Sequence, residues 1–165
     1  MRSLFIKFII LLLSLVFIQA CSSKKVTLVE VDKSDRKMYL KKHGKVVKKY
    51  NIALGLNPRG RKLREGDNKT PEGVYVLDYK NRKSKFYRSI HISYPNYLDR
   101  LRAKSINARP GGAIVIHGMP NGVSQKSIIK QRGRDWTNGC IALKNSDMRE
   151  VWSLVRTNAP IYIKP

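Results

Sequence analysis

Val26-Thr27-Leu28-Val29-Glu30-Val31, Asp32-Lys33-Ser34-Asp35, Lys37-Met38-Tyr39-Leu40-Lys41, His43-Gly44-Lys45 and the run Val46 to Ala53 decide the fold class. The first run is β-branched, the third alternates in polarity, and polar turn signals separate the runs. Three short strands joined by tight turns make an antiparallel meander.

The pattern continues downstream. Gly55 to Gly73 is rich in Gly, Pro and charge and reads as a long loop. Val74 to Tyr79 and Ser89 to Ser93 are two further strands. Ala113-Ile114-Val115-Ile116 is a short apolar run that reads as a buried strand ending at His117. Ser124 to Arg132 forms a short helix stopped by Gly133. The firm helix follows Asn145 or Ser146 as cap, with Asp147 in its first turn. Met148, Val151, Trp152 and Val155 then share one apolar face. Pro160 blocks continuation, and Ile161-Tyr162-Ile163 is a last strand. The organisation is mainly β, in one domain.

The chain has 165 residues, with Lys+Arg 34 against Asp+Glu 11, a net charge of +23. With 42% apolar residues it can build a core, which argues against wholesale disorder. Cysteines stand only at 21 and 140, excluding a disulfide scaffold and a structural zinc site of several thiolates. No glycine-rich phosphate loop or heptad array is present, which speaks against a nucleotide enzyme or a coiled coil.

Arg2 and Lys7 precede an apolar stretch from Phe8 to Ile18, too short to span a bilayer comfortably but suited to a secretory signal. The following Ile18-Gln19-Ala20-Cys21-Ser22-Ser23 resembles the lipobox of bacterial lipoproteins. That resemblance implies a signal peptide over 1–20, a lipidated Cys21 with a short tether over 21–25, a domain over 26–165 and a membrane-anchored product facing the periplasm or cell wall. An ordinary signal cut near Ala20 is the alternative. Export argues against nucleic acid as partner. It leaves envelope polyanions or lipid head groups for the basic clusters Arg59 to Arg64, Lys80 to Arg88 and Lys126 to Arg134, unless these are merely solvated.

Two segments carry chemistry: Ile116-His117-Gly118 and Trp136-Thr137-Asn138-Gly139-Cys140-Ile141-Ala142-Leu143. A histidine at the end of a buried strand has a rigid backbone. A cysteine after glycine, at the entry of a new element, exposes its sulfur beside backbone N–H groups of the kind an oxyanion hole needs. Imidazole and thiol together make a nucleophile and its base. The alternative is a core histidine and a core cysteine that never meet.

His117-Gly118, Thr137-Asn138-Gly139-Cys140-Ile141 and Gly66-Asp67-Asn68-Lys69-Thr70-Pro71-Glu72-Gly73 resemble three ordered motifs of YkuD-type L,D-transpeptidases. The resemblance implies a β-sandwich-like catalytic domain with one or two short helices, acting on peptidoglycan stem peptides with diaminopimelate at the third position. Cys140 would be the nucleophile and His117 the general acid/base. The Gly118 carbonyl would orient the imidazole, and the N–H groups of Gly139 and Cys140 would hold the oxyanion. Metal and cofactor would not be needed.

Thr137, Asn138, Trp136, Arg134 and His91 are the candidate substrate contacts. Trp136 and His91 read equally as packing residues, and Asn145 and Asp147 as helix caps. Where many members have His before the Gly-Cys and Arg two places after the Cys, this chain has Asn138 and Ala142. Lys144, Arg134 and Arg132 are candidate replacements for that cation. The segment between His117 and Cys140 reads as a lid or substrate wall. The Asp-Trp-Thr-x-Gly-Cys-Ile-Ala form resembles a subgroup that includes an enzyme releasing a lipoprotein from peptidoglycan, so hydrolysis stands beside transpeptidation. A non-catalytic basic envelope-binding module is the rival class.

Overall fold

A computed structural model describes residues 25–165. The expected signal, residues 1–20, and the lipidation site Cys21 lie outside the described residues.

β1 (Leu28–Asp32), β2 (Lys37–Lys42) and β3 (Lys45–Asn51) form the expected meander. Val29 pairs with Leu40 and Val31 with Met38, so all four turn one way and are fully buried. β4 (Gly73–Leu77) and the last strand, β9 (Ala159–Lys164), complete a five-stranded sheet of order β3-β2-β1-β9-β4. β9 lies parallel to β1 and antiparallel to β4.

The second sheet has order β5-β6-β7-β8, from β5 (Lys80–Asn81), β6 (Ser89–His91), β7 (Val115–His117) and β8 (Ile141–Ala142). Ile90, Ile116 and Ile141 from this sheet join Val29, Met38, Leu77 and Ile161 from the first in one buried cluster. Each such side chain removed from water contributes roughly 1.5–3 kcal/mol.

Among the described residues there are three helices where the resemblance implied one or two. The additional one is α1 (Tyr97–Ser105), started by a capping box in which Asn96 and Asp99 each accept from the other's backbone N–H. Its buried residues are Asp99 and Ala103, while Tyr97, Leu98 and Leu101 face solvent. α2 (Gln125–Arg132) runs from Ser124 as N-cap to Gly133, as the sequence suggests. α3 (Asn145–Leu154) buries Met148 and Val151. Its N-cap is Lys144, without a side-chain cap bond, so the capping role expected of Asn145 or Ser146 is corrected. Asn145 is already helical, and its side chain works elsewhere.

Beyond β3 the chain leaves the first sheet to serve the second. Ala53 and Ala142 exchange backbone hydrogen bonds at 2.9 Å in each direction. Leu54 O accepts from Thr137 N–H at 3.1 Å, and Leu56 N–H donates to Thr137 O at 2.9 Å. These bonds hold the segment before Cys140 against the body of the domain.

Candidate active site

His117 is the last residue of β7 and is 1% exposed. Ile116 faces the core, so alternation turns His117 to the opposite face. Its Nδ1 lies 2.6 Å from the Gly118 carbonyl, which can only accept, so Nδ1 carries the proton and the Nε2 lone pair is left free. Phe86 lies against the ring at 4.1 Å between centroids, and Trp136 meets it edge-on at 5.5 Å. Burial pushes the His117 pKa down to about 4, against the opposing effect of the Gly118 bond. The imidazole is neutral at pH 7.

Gly118 has no room for a side chain, since a Cβ there would lie 2.5 Å from Asn145 Oδ1 and 2.7 Å from Tyr87 O. The same Asn145 Oδ1 accepts the Met119 N–H at 2.8 Å.

Cys140 directly precedes β8, which pairs in parallel with β7 in the register Ile116↔Ile141 and His117↔Ala142. Ile141 points into the core, so the residues on either side of it share the face of His117. Cys140 is half-buried, with Sγ 3.7 Å from the Ala113 carbonyl. Burial pushes its thiol up, against the Val115 backbone amide and the charge of Lys62. The pair therefore rests as neutral imidazole and neutral thiol, so a nucleophilic role for the sulfur would require its proton to move first.

The turn before the sulfur is braced by Thr137. Its Oγ1 donates to Cys140 O at 2.7 Å and accepts the Gly139 N–H at 3.1 Å. That second bond commits the Gly139 N–H, expected as an oxyanion donor, to the turn itself. Gly139 has φ +126°, and a Cβ there would lie 2.7 Å from Lys69 O, so the position requires glycine twice over. Asp135 fixes the approach to the turn, accepting from Leu54 N–H at 3.0 Å through Oδ1 and from Arg36 at 2.9 and 3.1 Å through Oδ2.

Cys140, His117, Trp136, Thr137 and Asn138 open on one cleft of about 620 Å³. Ile128, Gln131 and Arg132 of α2 line it too, so the segment between the two motifs forms a wall. Two of the candidate contacts lie elsewhere. Arg134 lines a neighbouring cavity of about 340 Å³ with Gln125 and Lys144, because the chain turns at Gly133 and sends Arg132 to the cleft instead. His91 is not part of the cleft lining. Its Nδ1 lies 2.8 Å from Asp78 Oδ1 and its ring stacks on Tyr79 at 4.6 Å. Trp136 both packs and lines the cleft.

Sequence reading missed three contributors. Phe86 stands outside any alternating run. Lys62 is buried in a loop that reads as surface. Asn145 was masked by its place at a helix start.

The YkuD family model, described as an L,D-transpeptidase catalytic domain, matches residues 26–163. The Escherichia coli (strain K12) protein YafK is 29% identical over 118 residues, which is 70% of this chain and 39% of YafK. The crystal structure of the helical cell shape determining protein Pgp2 from Campylobacter jejuni superposes with a TM-score of 0.62 at 28% identity, over 84% of this chain and 47% of that one. An L,D-transpeptidase from Xylanimonas cellulosilytica shares the fold at 17% identity, with a TM-score of 0.56, over 87% of this chain and 62% of that one. The chain thus spans about half the length of Pgp2, and less of YafK. With the family match running from the first strand to the last, over a two-sheet domain that gathers the histidine and cysteine motifs on one cleft, the chain belongs to the YkuD family of L,D-transpeptidase catalytic domains.

Proposed function

We propose that this domain transfers acyl groups between peptidoglycan stem peptides through a thioester on Cys140. The carrying observation is that His117 and Cys140 share a cleft, with the imidazole neutral and its Nδ1 proton bound to Gly118. In this reading Nε2 takes the thiol proton as Sγ attacks the carbonyl of the third stem residue. The carbonyl oxygen becomes an oxyanion, for which the Cys140 N–H is the proposed donor. As the tetrahedral intermediate collapses, the C–N bond to the terminal D-Ala breaks and the imidazolium returns its proton to the leaving amine. An acceptor amine then attacks the thioester, a C–N bond forms, the C–S bond breaks and the thiol is restored. Water in place of the amine gives the hydrolytic variant.

The charge of +23 and the sequence from Phe8 to Cys21 support the further reading that the protein is exported, held at a membrane through Cys21 and drawn to an anionic envelope.

The test is incubation with purified muropeptides followed by mass analysis. Loss of D-Ala with peptide dimers assigns transpeptidation, and loss without dimers assigns a carboxypeptidase. Release of a linked protein assigns the lipoprotein-releasing variant. A carbapenem adduct of one equivalent at Cys140, abolished in Cys140→Ala, assigns the nucleophile. No turnover and no adduct, with wall binding retained in Cys140→Ala, would instead support the binding module.

A further inference from the structure

The basic segment Arg59-Gly60-Arg61-Lys62-Leu63-Arg64 touches the acyl transfer described above only through the charge of Lys62 on the Cys140 thiol, yet the fold gives it a definite shape. Asp67 gathers it. Its Oδ2 accepts the N–H groups of Leu63 and Arg64 at 2.8 and 3.1 Å, and its Oδ1 accepts the Lys69 N–H at 3.1 Å and Lys62 Nζ at 2.8 Å. Lys62 is 4% exposed and also donates to Arg64 O at 3.0 Å. The Asp67 carboxylate is thereby fully engaged within the loop.

A cavity of about 580 Å³ lies between this loop and the end of α1. Arg61, Arg64 and Lys69 line it with Asn57, and Leu63 and Ile106 supply an apolar side. Arg61 donates to the Glu72 carbonyl. Among the described residues, none of these three cations has a carboxylate partner. Asp67, the one acid in the lining, is held by Lys62. Three cations around a partly apolar recess suit a ligand that carries carboxylates on a short aliphatic frame.

The cavity also sits next to the reaction. The Lys69 carbonyl packs against Gly139, the residue before the nucleophile, while the Lys69 residue lines the recess. The loop is thus a partition between the recess and the Cys140 turn. We propose that this cavity binds the carboxylates of the acceptor stem peptide, whose amine resolves the thioester on Cys140. This rests on the acyl-transfer reading given above. The recess holds the acceptor by its carboxylates, and its free amine attacks the thioester carbonyl from that side.

The test compares the full chain with an Arg64→Ala, Lys69→Ala double variant. The rate of Cys140 acylation by a carbapenem reports the donor half-reaction. The split of a tetrapeptide acyl-enzyme between peptide dimer and hydrolysed product, followed against acceptor tetrapeptide concentration, reports the acceptor half. The expected result is an acylation rate within twofold of the parent. The half-saturating acceptor concentration rises at least about tenfold, since the two cations removed each take away a charge-assisted contact. Hydrolysed product grows at the expense of dimer, and Arg64→Lys restores most of the acceptor response. An unchanged split with normal acylation overturns this proposal alone. A parallel fall in acylation overturns it as well, since that marks a structural role. Products formed by water alone at saturating acceptor also overturn it. No acylation in the parent chain removes the acyl-transfer reading, and this proposal with it.

Discussion

Asn145 Oδ1 accepts the Met119 N–H at 2.8 Å and joins the segment after His117 to the first residue of the helix after Cys140. The two motifs are far apart in sequence, and the β7–β8 ladder between them is short. This side-chain bond extends that ladder by one further tie, at the point where the chain turns away from Gly118. Asn145→Ala leaves the Met119 N–H without its acceptor, at a cost of about 1–3 kcal/mol in urea unfolding. Carbapenem acylation of Cys140 should slow as His117 loses its fixed place. Asn145→Asp keeps the acceptor oxygen and should recover much of both. An Asn145→Ala protein with unchanged stability and acylation would show that the bond positions nothing.

What the sequence made legible follows from periodicity. The meander alternates, and its inward residues are Val29, Val31, Met38 and Leu40, as the pattern requires. The placement of β9 between β1 and β4 was not legible, because Ile161-Tyr162-Ile163 marks a strand but carries no information on its neighbours. α1 escaped because its polarity runs against the usual rule. It buries Asp99 and Ala103 and exposes Tyr97, Leu98 and Leu101, so no inward apolar stripe exists to be read. Only the pair Asn96 and Asp99 at capping-box spacing announced it. The histidine and cysteine motifs were legible as chemistry. Which cation reaches their cleft was not, since the turn at Gly133 decides between Arg132 and Arg134.

Gly139→Ala is expected to be severe. The residue holds φ +126°, and the added methyl carbon would lie 2.7 Å from the Lys69 carbonyl. Backbone strain of this kind costs of order 1–3 kcal/mol before the clash is counted. Urea unfolding should show at least that loss. Relief of the clash requires the 66–70 loop or the Cys140 turn to move, so the acylation rate should fall as well. A Gly139→Ala protein of parent stability would contradict the packing described.

Thr137 braces the same turn through one hydroxyl that both donates and accepts. Thr137→Val keeps the shape and removes both bonds, whereas Thr137→Ser keeps both. The valine variant should lose about 1–3 kcal/mol through unpaired buried groups and acylate more slowly, with the serine variant close to the parent. Denaturation and time-resolved mass analysis of the carbapenem adduct check both. Equal behaviour of the two variants would mean that the hydroxyl does not hold the turn.

The resting charge state of the pair gives two pH measurements. Burial pushes His117 down to about 4 and the Cys140 thiol above its ordinary value, so at pH 7 neither group is charged. Alkylation of Cys140 by iodoacetamide should be slow at pH 7 and still climbing beyond pH 9. A rate already level from pH 5 upward would reveal a thiolate–imidazolium pair and contradict this assignment. For stability, the unfolded histidine titrates near 6.5 and the folded one near 4. Above pH 6.5 neither state takes up the proton, and this group adds no pH dependence. Between 6.5 and 4 the unfolded chain binds more protons, so stability falls as the solution is acidified, by up to about 3 kcal/mol, and the effect levels off below pH 4. Urea unfolding at pH 7, 5.5 and 4.5 should therefore show a steeper acid loss for the parent than for His117→Gln. Identical slopes would mean that the imidazole is as free to protonate in the folded domain as in water.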